Sequence, residues 1–207
     1  MRILGRIVGV QSTEQSVGIK VGDFCFRHHK TNTKGQKVTA MTKSSIINDL
    51  KSMGLTGSET ILIHSSMKAV GNVEGGADTV LDALMEFFAD GLLLLPTHTW
   101  KTVNESNPVF DVSNSESCVG ILTELFRKRP GVVRSLHPTH SIAAFGRNAE
   151  SYIAGELSCN TPCTPGGCYD RLKDVDGKIL LIGVTHARNT YIHLSLIHIS
   201  EPTRHLR

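Results

Sequence analysis

The chain has 207 residues and five cysteines, enough for one domain with a substantial core, and its odd thiol count suits a reducing cytoplasm better than a disulfide framework. No run approaches the roughly 20 apolar residues of a membrane helix, which sets a membrane role aside. The net charge of +3 comes from the ends: residues 1–40 hold seven Lys/Arg against two Asp/Glu, but residues 41–193 hold 13 against 16, which gives nucleic acid no footing and suits a cationic ligand.

Residues 1–40 mix Gly, Lys and polar types without sustained helical periodicity. Arg6–Val10 and Gly18–Val21 alternate passably as a short hairpin. The first proper helix start follows Met41, so translation is expected to begin there, with residues 1–40 read from upstream DNA. Ser44 or Ser45 is expected to cap a helix with Ile46, Ile47, Leu50 and Met53 at helical spacing, stopped by Gly54. Glu59–His64 is a short β-rich run. It empties into Ser65-Ser66-Met67 and then Gly71 to Gly76. A helix from about Ala77 should bury Val80, Leu81, Leu84, Phe87 and Phe88. Gly91–Pro96 is the next strand, ending in Thr97-His98-Thr99-Trp100.

Strand, polar loop, helix, strand is a βαβ pattern, which predicts an α/β fold with a mainly parallel or mixed sheet flanked by helices. Ligands in such sheets bind beyond the carboxyl ends of the strands, where Ser65, Ser66, Thr97 and Thr99 would sit. Free amides and hydroxyls there can hold a phosphate or a thioester oxygen. Gly75-Gly76 alone reads as an ordinary turn.

Residues 101–117 are loop-like, and a helix from about Val119 to Lys128 is stopped by Pro130-Gly131. Arg134-Ser135-Leu136-His137-Pro138-Thr139-His140-Ser141 follows. Pro138 fixes its own φ and restricts His137 to an extended backbone, so the segment is a rigid turn whose polar side chains are either solvated or gathered at a site. Ser141–Phe145 reads as a strand and Asn148–Ala154 as a short helix. A loop with Cys159, Cys163 and Cys168 leads to Tyr169-Asp170. Lys178–Val184 is the last clear strand, and Asn189-Thr190-Tyr191-Ile192-His193 follows it.

Five blocks, in order, resemble the aminoglycoside 3-N-acetyltransferase (antibiotic N-acetyltransferase) family over about residues 42–193. They are His64-Ser65-Ser66-Met67 with Gly75-Gly76; Leu95-Pro96-Thr97-His98-Thr99; Arg134 through Ser141; Thr161-Pro162-Cys163 with Gly166-Gly167-Cys168; and Lys178–Val184 through Arg188–His193. The resemblance implies an antibiotic N-acetyltransferase-like fold truncated at the C-terminus. It also implies acetyl transfer from acetyl-CoA, without a metal, to the 3-amino group of a 2-deoxystreptamine antibiotic. That amine is protonated at neutral pH and needs a base, and the oxyanion formed on attack needs hydrogen-bond donors. His193, from the family's Asn-Thr-x-x-His block, is the first candidate base and His137 the second. Ser65 and Ser66 are expected near the pantetheine or pyrophosphate, with Arg134, Ser135, His137 and Ser141 along the same channel. Arg134 would grip phosphate through its guanidinium. Asp111 and Asp170 are candidates for the cationic substrate. His64 is expected to be partly buried and satisfied, His98 is undecided, and Trp100 is expected to pack.

Other functions have weaker support. Cys159, Cys163 and Cys168, with His137 and His140, are more widely spaced than paired zinc ligands. Nothing marks a cysteine nucleophile, and no Gly-x-Ser-x-Gly elbow is present. A CoA-dependent acetyltransferase for another amine stays open. From Leu194 to Arg204 the sequence resembles a translated transposase-type sequencing adapter. The natural sequence is therefore expected to stop near His193, leaving a partial domain at 41–193 and an artefactual tail at 194–207. The family continues with elements on the acceptor side that should also cover Lys178–Val184, so an unstable, weakly active fragment is expected.

Overall fold

The computed structural model describes residues 21–24 and 40–192. Among the described residues six strands make one sheet: β1 (Val21–Phe24), β2 (Thr60–Ser65), β3 (Leu92–Pro96), β4 (Val133–Arg134), β5 (Ile142–Gly146) and β6 (Lys178–Ile182). Their spatial order is β1-β6-β2-β3-β5-β4. The first four in that order run parallel, β5 is antiparallel to β3, and β4 is antiparallel to β5. The sheet is therefore mixed. β1 pairs Val21 with Ile179 along β6, so Val21 belongs to a parallel edge strand; the rest of the expected hairpin lies outside the described residues.

The continuous apolar runs form strands because the sheet is covered on both faces, so successive side chains are all buried. Ile61, Ile63, Leu93, Leu95, Leu180 and Ile182 meet the apolar stripes of α1 (Lys43–Ser52), α3 (Gly76–Phe87) and α4 (Ile121–Phe126). Leu62, Leu92, Leu94, Ile179 and Leu181 pack on Tyr152 of α5 (Ala149–Ile153), on Tyr169, on Leu172 of α6 (Arg171–Asp174) and on Tyr191. Each such side chain contributes roughly 1.5–3 kcal/mol of burial. The apolar residues of β6 are at most 1% exposed. The expectation that this strand would be left uncovered is corrected: β1 and β2 flank it, and both core clusters close over its faces.

Helix boundaries follow local chemistry. α1 is capped by Thr42, not by Ser44 or Ser45. The Thr42 hydroxyl accepts the Ser45 N–H at 3.2 Å, and the Ser45 hydroxyl accepts the Thr42 N–H at 3.0 Å, a reciprocal capping box. α3 starts after Gly75 at φ 74°, where a Cβ would lie 2.4 Å from the Thr79 hydroxyl. That turn borders a shallow surface groove away from the strand ends. The one-turn helix α2 (Met67–Val70) leads out of β2.

The parallel register brings Ser65, Pro96 and Ile182 to one edge of the sheet. β4 runs in the same direction as β3, so Arg134 and the start of β5 share that edge. The fold thus gathers Ser65, Ser66, His98 and the Arg134–Ser141 segment at one end. Among the described residues no helix is long and apolar enough to cross a membrane.

Candidate active site

A cleft of about 760 Å³ opens at this edge, within the usual range for small-molecule and cofactor sites. Its walls come from the ends of three parallel strands and from the loop before α4. His64, Ser65 and Ser66 come from β2 and its exit, and Lys68 from α2. His98, Trp100 and Lys101 follow β3, and Gly183–Thr185, Arg188 and Thr190 follow β6. Lys68, Lys101 and Arg188 line it, and among the described lining residues there is no Asp or Glu. Trp100 is 45% exposed at the wall, with the Lys101 ammonium over its ring, rather than packed in the core.

Two imidazoles sit deep in this wall. His64 is 6% exposed, and its Nε2 has no hydrogen-bond partner among the described residues. Burial pushes its pKa down to about 4. His98 is 4% exposed, and its Nε2 lies 2.6 Å from the Tyr169 hydroxyl. Burial, helped by the neighbouring His140, His64 and His137, pushes His98 down to about 3. Both rings are neutral near pH 7.

Beside the cleft, the Arg134–Ser141 segment buries the side chains of Arg134, Ser135, His137 and Ser141, while Leu136 and Pro138 face solvent. Arg134 is 8% exposed. Its Nε donates to the hydroxyls of Thr97 and Ser141, Nη1 to the carbonyls of Val112 and Ser115, and Nη2 to the carbonyl of Thr97. Burial lowers its pKa to about 10, so it remains a cation. The Ser135 hydroxyl accepts the Ile142 N–H at 2.9 Å, and the Ser141 hydroxyl donates to Thr97 O at 2.9 Å. The Thr99 hydroxyl donates to the Pro138 carbonyl. His137 Nδ1 accepts the backbone N–H groups of His140 at 3.0 Å and Thr139 at 3.3 Å. Its proton is therefore on Nε2, which is buried and unpartnered among the described residues. None of Arg134, Ser135, His137 and Ser141 is among the side chains that line the cleft.

The remaining candidates are scattered. Asp111 is exposed, and its carboxylate accepts from the Asn114 side chain and from the backbone N–H groups of Asn114 and Ser113, which hold its pKa low. Asp170 is 5% exposed, pairs with Lys173 and accepts the Gly166 N–H at 2.9 Å. His193 lies outside the described residues; Thr190, three positions earlier, lines the cleft. Cys159, Cys163 and Cys168 are free thiols. Among the described residues no three His, Cys, Asp or Glu are grouped to hold a metal. The sequence left His98 undecided and missed Tyr169. For His98 a signal existed, since it sits just past a fully buried strand; its pairing with Tyr169, 71 residues away, had none.

The profile of the family described as aminoglycoside 3-N-acetyltransferase matches residues 62–205. The chain belongs to the aminoglycoside 3-N-acetyltransferase family. Aminoglycoside N(3)-acetyltransferase VII of Streptomyces paromomycinus is 31% identical over 171 residues, covering 74% of this chain and 59% of its own. The crystal structure of aminoglycoside acetyltransferase AAC(3)-IVa, as apoenzyme, superposes with a TM-score of 0.72 at 30% identity, covering 81% of this chain and 64% of that one. The structure of AAC-IIIb in binary complex with CoASH gives 0.68 at 26% identity, covering 75% and 64%. The chain thus spans about three-fifths of the length of these family members. The family match runs past His193 into residues 194–205.

Proposed function

We propose that this chain forms the CoA-binding side of an enzyme that moves an acetyl group from acetyl-CoA to the 3-amino group of a 2-deoxystreptamine aminoglycoside. One observation carries the assignment of ligand to cleft: Lys68, Lys101 and Arg188 line it without any described carboxylate. A polycationic drug would be repelled there, whereas the phosphates of CoA are attracted. Ser65 and Ser66 supply hydroxyls beside those cations, suited to the pantetheine amides or the pyrophosphate. The relative solved with CoASH supports the same ligand class.

His193 is assigned as the base. It takes a proton from the acceptor ammonium, and the freed amine attacks the thioester carbon. The new N–C bond gives a tetrahedral intermediate with an oxyanion and a cationic nitrogen; as the C–S bond breaks, that nitrogen releases its second proton to solvent and the departing thiolate takes the proton held by His193. His137 is poorly built for this task, because backbone N–H groups already occupy its basic nitrogen. Arg134, Ser135, His137 and Ser141 instead brace the wall from behind. Acceptor contacts fall to other surfaces, since Asp111 and Asp170 are engaged in local turns and an ion pair. An amine other than an aminoglycoside is therefore the second reading. A cytoplasmic location fits the acetyl-CoA supply, and modification of the antibiotic there would confer resistance.

A thiol-release assay with acetyl-CoA and a panel of 2-deoxystreptamine aminoglycosides tests this. Drug-dependent release that His193→Ala abolishes and His137→Ala retains in its folded fraction is expected. CoA binding without release for any drug would remove the aminoglycoside acceptor. Absence of CoA binding would remove the whole assignment.

A further inference from the structure

His98 leaves the end of β3 and stands in the cleft wall while its Nε2 reaches back into the core. The group it meets, the Tyr169 hydroxyl at 2.6 Å, belongs to a residue only 1% exposed. A phenol is the stronger donor of the pair and an imidazole nitrogen the stronger acceptor, so the O–H donates to Nε2. Burial keeps the phenol protonated. This order leaves the imidazole proton on Nδ1, at the other edge of the ring. Nδ1 has no protein hydrogen bond among the described residues. The neighbouring His140 ring, 4.6 Å away between centroids, disfavours a second charge.

We propose that Tyr169 is a positioning residue for acyl transfer: its hydroxyl holds His98 as the Nδ1–H tautomer, a neutral donor aimed at the acyl oxygen of a thioester bound in the cleft. The proposal rests on the acetyl-CoA assignment of that cleft. A neutral imidazole serves well as such an electrophile. In a water-poor pocket, one donor to a developing oxyanion is worth a factor of about 10²–10³ in kcat. Tyr169 acts through His98, so its removal costs less, about tenfold, because the Nδ1–H tautomer is then only partly populated.

The test is long-range ¹H–¹⁵N NMR on the histidine-labelled 207-residue chain, with His98→Gln identifying the resonances. The wild-type chain should show His98 protonated at Nδ1 and bare at Nε2, and acetyl-CoA should shift the Nδ1 signal. Tyr169→Phe should redistribute the tautomers and, with an accepted amine, lower kcat about tenfold while KM for acetyl-CoA stays within twofold. An Nε2-protonated His98 in the wild-type chain would overturn the proposal. So would acetyl-CoA binding that leaves His98 unmoved, or a Tyr169→Phe enzyme with unchanged kcat. If no aminoglycoside is acetylated but the tautomer and its response to acetyl-CoA are as stated, the positioning role stands and the acceptor assignment falls.

Discussion

Two regions share the carboxyl edge of the sheet and are built from the same residue types, yet they use them in opposite ways. Around Arg134, the guanidinium and the hydroxyls of Thr97, Ser135 and Ser141 bond to protein acceptors and donors, and all four side chains are buried. Around Ser65 and Ser66, three cations and two neutral imidazoles line an open cleft with no described carboxylate facing them. The difference lies in what surrounds each strand end. β4 and β5 fold the Arg134 segment against the loop at residues 112–115, which supplies carbonyls. β2 and β6 end in short turns that leave their side chains a cavity. A polar cluster marks a ligand site only where donors are left over after the protein has satisfied itself.

Arg134→Leu is expected to have the largest effect. It strips donors from the buried carbonyl of Thr97 and the partly buried carbonyls of Val112 and Ser115, at a cost of about 3 kcal/mol in urea unfolding. CoA affinity of the folded fraction should stay within twofold; a tenfold loss at unchanged stability would mean that Arg134 faces the ligand after all. The cleft histidines give the next effect, through acid titration. Folded pKa values of about 4 for His64 and about 3 for His98 lie below the ordinary 6.5. The unfolded chain therefore binds protons that the folded chain refuses, and stability is full above pH 6.5 and falls as pH drops toward 4. The slope should be about 1 kcal/mol per pH unit for each ring. His64→Gln should remove its own share, and an unchanged slope would mean that His64 is not buried as described.

Smaller effects are expected at the cleft cations. Arg188→Ala or Lys101→Ala should weaken CoA binding about tenfold in calorimetry, or 1.4 kcal/mol. Unfolding free energy should move by less than about 0.5 kcal/mol, as for an exposed side chain. Last, Thr42→Ala removes the capping box of α1 and should cost about 1 kcal/mol of stability with CoA affinity untouched.

Much of the scaffold was legible because its signals are local. The continuous runs at 60–65, 92–96 and 178–182 became strands within a residue or two of the expected limits. Their apolar side chains fill both faces, and Gly and polar residues flank them. The two-residue β4 was not legible, because Val133–Arg134 acquires its pairing only from the register of β5. The four-residue α2 carries too little periodicity to be seen. At the site, the rule that ligands gather at strand ends pointed to Ser65 and Ser66, which line the cleft, and equally to Thr97 and Thr99, which are buried beside it. Arg134 was recognisable as important but its direction was not: a guanidinium suits phosphate and carbonyl oxygens equally, and only the fold decides which it meets. His64 was expected to be satisfied, and its Nε2 is buried without a described partner.

The most direct test of the central claim is calorimetric titration of CoA into the 207-residue chain and into its Lys101→Ala, Arg188→Ala double variant, at two salt concentrations. Cleft binding predicts a single site in the parent chain, weakened by salt, with the double variant losing both affinity and salt dependence. Equal, equally salt-sensitive affinity in the two proteins would place CoA elsewhere and contradict the account.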